Sequence, residues 1–310
     1  MGKDRRNPME VERERKRRRQ LADQILNTRR LTCGHEVWNS LAEGELITVA
    51  PQFLFPTDLW NSLPRHEQQF VKVVAVGRSM RSTVLVGRSA ARFAGMWVVA
   101  LTPEKVEVAS PKGSVGPSLR SNPDYAVKRF RLSERQTYEH EGVKATVSAR
   151  TAIDIARLHG FVEGLVAFDW VLRVGLRRSM VLKELQRMGP FQGKEVVVRC
   201  LQYATDLSES PFESLARALL IEAGYDPEPQ HVIGSYRADL VVDGWLLIEI
   251  DGDSKYEHDT ELTIKRENDR KKRIENKGYK VLRYRPKDLL SNPAGFVEEV
   301  RAAFQTTRVS

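Results

Sequence analysis

The chain has 310 residues, of which 41% are hydrophobic and 29% charged, and its formal net charge is +9. This length suffices to bury a core and to form two or three domains, as in an ordinary soluble globular protein. No stretch approaches eighteen consecutive apolar residues and the charged N-terminus has no apolar signal segment, so we expect no membrane partner and a cytoplasmic location. Cys33 and Cys200 are too few for a disulfide framework, and no second ligand pair at zinc spacing accompanies Cys33.

The positive charge is concentrated at the start of the chain. Residues 1–30 carry 11 Lys or Arg against 5 Asp or Glu, and Glu10–Asn27 has helical composition around the block Arg15-Lys16-Arg17-Arg18-Arg19. Such a block either solvates a helix face or contacts nucleic-acid phosphates, and both interpretations stay open. We assign residues 1–19 to a basic arm, with these five side chains as candidate nucleic-acid contacts.

The next elements predict a small DNA-binding unit. A short helix is predicted at Glu36–Ala42, followed by a hairpin with strands at Leu46–Val49 and Phe53–Phe55. Two helices followed by a two-stranded wing are typical of a winged helix, which we assign to residues 20–65.

Short β-rich runs, broken by Gly, Pro and Ser, then predict a small mixed domain over residues 66–147. Strands are expected at Val71–Val76, Met96–Val99, Val106–Val108 and Val143–Val147. From Ser148 to Asp206 the apolar spacing becomes helical, which predicts a helical connector over residues 148–206.

The remaining residues, 207–310, predict a module with the element order αβββαβα. Ser210, Pro211 and Glu213 fit the N-cap and first turn of a helix that Gly224 ends. Strands follow at Gln230–Ile233, Tyr236–Val242 and Trp245–Asp251, then a basic helix at Glu261–Lys277, a strand at Tyr279–Tyr284 and a helix that Pro293 begins. The predicted fold class of the whole chain is therefore α/β (α+β).

Parity in the second hairpin predicts which residues share a face. A two-residue turn at Asp243-Gly244 would mix even-numbered and odd-numbered apolar residues on one face, whereas a three-residue loop over residues 242–244 puts Val241 opposite Trp245. One face is then apolar throughout: Ala238, Leu240, Val242, Leu246, Ile248 and Ile250. The same register puts Asp239 opposite Leu247 and diagonal to Glu249, on a face shared with Asp251.

These acids predict a metal site. Ionised carboxylates at the edge of a hydrophobic sheet lose hydration and repel one another, which indicates a bound cation or a raised pKa. Oxygen ligands favour Mg²⁺ or Mn²⁺ over zinc, so we predict Asp239, Glu249 and Asp251 as metal ligands of a hydrolytic site. Two alternatives stay open: the three acids form a solvent-facing strand end, and Glu213 is an ordinary capping-box acid.

With Glu213 on the first helix, Asp239 on the second strand and Glu249 on the third, the last hundred residues resemble the PD-(D/E)xK nuclease superfamily. Within it, four motifs are similar to a bacterial family related to very-short-patch-repair endonucleases: Glu249-Ile250-Asp251-Gly252, Lys255-Tyr256, Asp269-Arg270 and Gly278-Tyr279-Lys280-Val281-Leu282-Arg283. The resemblance implies a restriction-endonuclease-like fold and metal-dependent cleavage of DNA, with Asp239 and Glu249 at the catalytic site and Glu213 supporting them.

The sequence departs from the superfamily motif at one position. Asp251 stands where the superfamily has a lysine two residues after its acid. Lys255 lies where relatives carry a histidine or a displaced lysine, and we predict that it either orients water and neutralises the scissile phosphate or is a surface lysine. On the predicted basic helix, Arg266, Arg270 and Arg273 are candidate nucleic-acid contacts, with Arg270 best placed to pair with the acids or a phosphate.

The front half carries a second resemblance. The predicted winged helix, the β-rich segment and the run Ser148–Asp154 resemble actinobacterial proteins that join an antitoxin-like region of the AbiE type to a nuclease-like domain. This implies DNA binding or regulation by the front half. Two functions result: a Mg²⁺-dependent DNA endonuclease, or a DNA-binding regulator whose nuclease-like domain is inactive. DNA is the predicted partner, and a homodimer is left open.

Overall fold

The computed structural model describes residues 4–80, 82–110, 122–234, 236–251, 274 and 276–307. In these residues the helices are α1 (Pro8–Asp23), α2 (Val37–Ala42), α3 (Thr57–Ser62), α4 (Arg65–Ser79), α5 (Gly87–Ala94), α6 (Ser148–Arg173), α7 (Arg178–Met188), α8 (Lys194–Tyr203), α9 (Pro211–Glu222), α10 (Pro286–Ser291) and α11 (Pro293–Thr307). The strands are β1 (Leu26–Asn27), β2 (Leu46–Ala50), β3 (Phe53–Pro56), β4 (Val84–Leu85), β5 (Val106–Ala109), β6 (Tyr125–Lys128), β7 (Thr137–His140), β8 (Val143–Thr146), β9 (Glu228–Ile233), β10 (Tyr236–Val242), β11 (Leu246–Ile250) and β12 (Lys280–Tyr284). This mixture of helices and sheets confirms the predicted α/β class. No described helix is long and apolar enough to cross a membrane.

The first elements form a three-stranded antiparallel sheet in the order β1-β3-β2. Helix α1 begins where Asn7 accepts a hydrogen bond from the Met9 amide at 3.0 Å, with Pro8 as the first helical residue. The predicted first helix, second helix and hairpin are all confirmed, and α1 ends at Asp23 because the chain then enters β1.

The predicted strand at Val71–Val76 is wrong, because these residues lie inside helix α4. Most residues from Phe70 to Gly77 are buried. A segment buried on nearly all sides has no polar face, so its apolar run cannot be distinguished from a buried strand by periodicity. The predicted strand at Met96–Val99 is also wrong: this segment has no regular structure, and its buried side chains, Met96 and Val99, pack into two different hydrophobic clusters.

A five-stranded mixed sheet follows, in the order β6-β5-β4-β8-β7, and it confirms the strands predicted at Val106–Val108 and Val143–Val147. One hydrophobic cluster joins this sheet to the elements before it, through Leu21, Phe55, Val74, Val108 and Ala145. The predicted boundary between residues 65 and 66 therefore falls beside a shared core. The division of the chain into domains remains a prediction.

Helices α6 to α8 confirm the helical segment predicted from Ser148 to Asp206. Helix α6 is interrupted at Gly160, whose φ of 86° lies in the left-handed region that glycine tolerates. The second half of α6 packs against α9, so this segment braces the C-terminal module.

The C-terminal sheet has the order β12-β11-β10-β9, with β11 and β12 parallel and the other pairs antiparallel. The predicted order of helix, three strands, strand and final helix is confirmed, while the predicted basic helix between β11 and β12 lies almost entirely outside the described residues. Helices α9 and α11 cover one face of this sheet through buried side chains that include Leu215, Leu220, Phe296 and Val300. The fully buried Leu240 contributes about 2 kcal/mol from this face by removal from water.

The predicted hairpin register is shifted by two residues. Val242 pairs with Leu246, so the three-residue loop is Asp243-Gly244-Trp245 rather than residues 242–244. The two successive positive φ angles, 50° at Asp243 and 72° at Gly244, place the turn one residue later than predicted. A shift by an even number of residues leaves each side chain on the face where it was predicted. One hydrophobic cluster accordingly contains Leu240, Val242, Leu246 and Ile248. Ala238 is the exception: it packs with Val241 and Leu247 on the other side, at the end of β10 that no longer pairs with β11.

Candidate active site

Four polar residues form a row across the C-terminal sheet. Glu249 pairs with Arg283 in the parallel register of β11 and β12, and Arg283 Nε lies 2.7 Å from Glu249 Oε2. The pairing of Leu240 with Ile248, continued by one residue, places Asp239 opposite Glu249. This corrects the prediction that Asp239 faces Leu247 and lies diagonal to Glu249.

On the other side of β10, the pairs Ala238 with His231 and Leu240 with Pro229 place Gln230 opposite Asp239. The polar row is therefore Gln230, Asp239, Glu249 and Arg283, one residue from each of β9, β10, β11 and β12. The even register shift is compatible with the predicted shared face of Asp239, Glu249 and Asp251, which stays a prediction because the paired register ends at Leu240 and Ile248. Two neighbouring acids directly opposite each other can share one cation more readily than diagonal ones.

Glu213 approaches this row from the first turn of α9. Ser210 Oγ accepts a hydrogen bond from the Glu213 amide at 3.1 Å, which confirms Ser210 as the N-cap. The Glu213 side chain does not complete the capping box with Ser210. Its Oε2 instead accepts from the Glu209 amide at 2.8 Å and from Gln230 Nε2 at 2.9 Å.

Glu213 is buried, with 7% of its surface exposed. Its burial, together with the nearby carboxylate of Asp239, raises the pKa of Glu213 to about 7. Burial penalises the ionised form, and a neighbouring negative charge adds to that penalty. Such a carboxyl favours either a proton or a nearby cation.

Asp239 is oriented by the neighbouring strand. Its Oδ2 accepts a hydrogen bond from the Ile250 amide at 2.8 Å. The backbone pairing between β10 and β11 ends at Leu240 and Ile248. The Asp239 carboxylate therefore supplies the hydrogen-bond acceptor for the Ile250 amide, which lies beyond the end of this pairing. The contact holds Asp239 between Gln230 and Glu249 in the row.

Glu249 and Asp251 are both buried, with exposures of 7% and 9%. Arg283 balances the charge of Glu249 at short range, which offsets part of the cost of removing the carboxylate from water. The Asp251 amide donates to the Tyr284 carbonyl at 2.9 Å, which extends the β11–β12 pairing to the acid. The rigid parallel pair thus fixes both acids at the carboxyl end of β11.

A buried network anchors the helix that carries Glu213. Asp169 on α6 is fully buried, and both of its carboxylate oxygens lie 2.8 Å from Arg217 Nη2. Ser214 Oγ, next to Glu213 in the chain, donates to Asp169 Oδ2 at 2.8 Å. Because α6 fixes α9 at two successive turns, the connector helix sets the position of Glu213 relative to the sheet.

Gln230 is the site residue that the sequence prediction missed. Its φ of 56° lies in the left-handed region although it is inside strand β9. A non-glycine residue in this conformation costs about 1 kcal/mol and persists where its surroundings impose it. In the sequence, Gln230 is only a polar residue that follows Pro229. Its place in the site depends on the pairing of β9 with β10, which the sequence alone does not specify.

The donor chemistry fits a hard divalent cation, because every candidate ligand is a carboxylate and the Asp239 carboxylate lies close enough to Glu213 to add to the rise in pKa that burial causes. Among the residues that the structure describes, however, no three Asp, Glu, His or Cys side chains are grouped closely enough to hold a metal ion. The predicted three-acid ligand set therefore remains a prediction. Lys255, Arg266, Arg270 and Arg273 all lie outside the described residues.

The five basic residues predicted on α1 are not equivalent. Arg17 forms a bidentate ion pair with Glu67, at 2.8 and 2.7 Å. The Arg18 guanidinium donates to the carbonyls of Arg92 and Phe93 and lies over the Phe70 ring, 4.8 Å from its centroid. The exposed members of the block are Arg15, Lys16, Arg17 and Arg19. Arg18 therefore serves packing, while Arg15, Lys16 and Arg19 present their charge to solvent.

Comparison with known proteins finds a family model that matches the C-terminal part of the chain. No curated protein and no solved structure matches the chain. The segment that matches a family model covers residues 212–304, less than a third of the chain. It includes all the residues of the candidate site that the structure describes: Glu213, Gln230, Asp239, Glu249, Asp251 and Arg283. Residues 212–304 match the model of REase_MTES_1575, a restriction-endonuclease-like family.

Proposed function

We propose that the protein is a divalent-metal-dependent DNA endonuclease. The observation that carries the proposal is the row of polar residues across a sheet that a restriction-endonuclease-like family model covers, with the buried Glu213 beside it. Buried acids at the end of β11, next to a buried helix acid whose pKa is strongly raised, are typical of functional sites rather than of solvated strand ends.

Asp239, Glu249 and Asp251 would hold the ion, which we expect to be Mg²⁺ or Mn²⁺. When bound, such an ion polarises a phosphodiester, lowers the pKa of a water molecule and stabilises the departing oxygen. The protein contributes the fixed positions of these acids: Ile250 orients Asp239, and Arg283 orients Glu249. Lys255 would neutralise charge on the scissile phosphate, in place of the lysine that Asp251 replaces.

DNA binding by the front half is part of the same proposal. The sheet order β1-β3-β2, together with the packing of α2 on β2, supports the winged-helix prediction. The exposed Arg15, Lys16 and Arg19 on α1 supply positive charge, and Arg266, Arg270 and Arg273 would add phosphate contacts. Kinship with very-short-patch-repair endonucleases and with AbiE-type antitoxins, and a homodimer, remain predictions from the sequence.

The rival function is a DNA-binding regulator with an inactive nuclease-like domain. Asp251 favours this rival, because a buried acid stands where the superfamily has its catalytic lysine. Nicking of supercoiled plasmid distinguishes the two functions. We expect the wild-type protein to nick DNA with Mg²⁺ but not with EDTA, and Asp239→Asn to lose this activity.

Asp243→Asn is the matched control, because Asp243 lies on the same hairpin, is exposed, and has a left-handed φ that asparagine tolerates. The control should nick at the wild-type rate. Metal-independent nicking, or equal rates for Asp239→Asn and wild type, would contradict the enzyme proposal. DNA binding without any cleavage would support the regulator.

A further inference from the structure

Gln230 has a backbone conformation that its position does not explain. Among the described residues, four that are not glycine have a positive φ: Gln52, Glu141, Gln230 and Asp243. Gln52, Glu141 and Asp243 lie in hairpin turns, where a left-handed residue helps to reverse the chain. Gln230 lies within β9, which pairs with β10 on both sides of it without a shift in register. No turn or inserted residue accounts for its conformation.

The Gln230 side chain joins the strand to the start of α9. Its Nε2 donates to Glu213 Oε2 at 2.9 Å, and the Glu209 amide donates to the same oxygen at 2.8 Å. One donor comes from the sheet and the other from the chain that leads into the helix. Together they fix the carboxylate from two directions, at the place where Gln230 faces Asp239.

The chemistry of the donor also matters. Arg283 holds Glu249 with a positive charge, whereas Gln230 holds Glu213 with an uncharged amide. An uncharged donor orients a carboxylate without cancelling its charge. The Glu213 carboxylate therefore keeps its attraction for a cation or a proton while its rotation is restricted.

We propose that Gln230 is a positioning residue, which holds the Glu213 carboxylate beside Asp239 and so preorganises the site for DNA cleavage. This inference rests on the proposed nuclease function. The strained backbone of Gln230 follows from this positioning role. The left-handed conformation brings the side-chain amide to Glu213, and the hydrogen bond formed there offsets the conformational cost.

Two substitutions separate positioning from a purely structural role. Gln230→Gly removes the amide but relaxes the backbone, since glycine adopts a positive φ without strain. Gln230→Asn tolerates the same backbone but is one methylene too short to reach Glu213. If Gln230 positions Glu213, the nicking rate at saturating Mg²⁺ should fall about 10- to 100-fold in both variants, the range for groups that orient a site carboxylate.

The thermal midpoint of Gln230→Gly should change little, because the relieved backbone strain and the lost hydrogen bond to Glu213 offset each other. Asp243→Gly is the matched control: it relaxes the same kind of backbone in the exposed turn of the neighbouring hairpin and should nick at the wild-type rate. Full activity in Gln230→Gly would overturn the inference, since it would show that only the backbone conformation is required.

A double variant tests whether Gln230 acts through Glu213. The rate of Gln230→Gly combined with Glu213→Ala should equal that of Glu213→Ala alone, because the positioned group is already absent. Losses that multiply would overturn the inference.

If wild-type protein cleaves no DNA, the proposed function fails, and a crystal structure of Gln230→Gly decides the inference. The Glu213 carboxylate should then move away from the Glu209 amide, and an unchanged carboxylate position would overturn the positioning role.

Discussion

The raised pKa of Glu213 predicts an unusual dependence of stability on pH. The folded pKa is about 7, against an ordinary value of 4.5, so the folded protein binds the proton more tightly than the unfolded chain. Ionising this group in the folded state therefore costs free energy, and its contribution to stability declines as pH rises from about 4.5 to about 7. At 1.36 kcal/mol per pH unit, the full penalty above pH 8 is about 3 kcal/mol.

Glu213→Gln should remove this penalty. The glutamine carbonyl can accept both hydrogen bonds that Glu213 Oε2 accepts, and it carries no charge beside Asp239. In EDTA the variant should be more stable than wild type by up to about 3 kcal/mol at pH 8, and the two proteins should converge near pH 4.5.

The measurement is the free energy of urea unfolding, followed by far-UV circular dichroism between pH 4.5 and pH 8.5. Glu298→Gln, at an exposed position of α11, is the control and should differ from wild type by less than about 0.5 kcal/mol throughout. Equal stability of Glu213→Gln and wild type at pH 8, or a variant that is less stable there, would refute the electrostatic account of this site.

Three further predictions concern the arm, the connector and the core. Replacing Arg15, Lys16 and Arg19 together by Gln should weaken DNA binding and reduce the slope of log Kd against log salt concentration by about 2 to 3. The control Arg17→Gln should change this slope little, because Arg17 is already paired with Glu67. An unchanged slope in the triple variant would show that these residues only solvate α1. Asp169→Ala should destabilise the protein by about 3 to 5 kcal/mol in thermal or urea unfolding, because it leaves Arg217 buried without its counter-charge. A loss of stability below about 1 kcal/mol would contradict the role of Asp169 in anchoring α9 to α6. Leu240→Ala should lower the free energy of unfolding by about 2 to 5 kcal/mol in the same assay. The control Val232→Ala, at a side chain that is 65% exposed on the edge strand β9, should change it by less than about 0.5 kcal/mol. Similar losses of stability in both variants would contradict the assigned faces of the sheet.

Local signals predicted the helix that carries Glu213. Ser210, Pro211 and Gly224 specify its ends through interactions within one or two turns, and the structure has all three in these roles. The shared face of Leu240, Val242, Leu246 and Ile248 was likewise predictable, because strand alternation depends only on parity. The exact partner of Asp239 was not, because the turn around Asp243 and Gly244 could start at either of two positions with the same parity.

Other features depend on contacts between distant residues. Arg17 and Arg18 pair with groups that follow them by 50 to 75 residues, so a basic block that suggests phosphate binding partly serves packing. The apolar run in α4 has the composition of a strand and becomes a helix because its neighbours bury it on nearly all sides. Gln230 gains its role only after β9 pairs with β10 and α9 packs beside them.

The most direct test of the nuclease proposal is the rate of supercoiled plasmid nicking by wild type, Asp239→Asn and Asp243→Asn, with Mg²⁺ and with EDTA. We predict nicking that requires Mg²⁺, is lost in Asp239→Asn and is unchanged in Asp243→Asn. Nicking that persists in Asp239→Asn, or that is absent from wild type on every DNA tested, would contradict the proposal that the site around this polar row cleaves DNA.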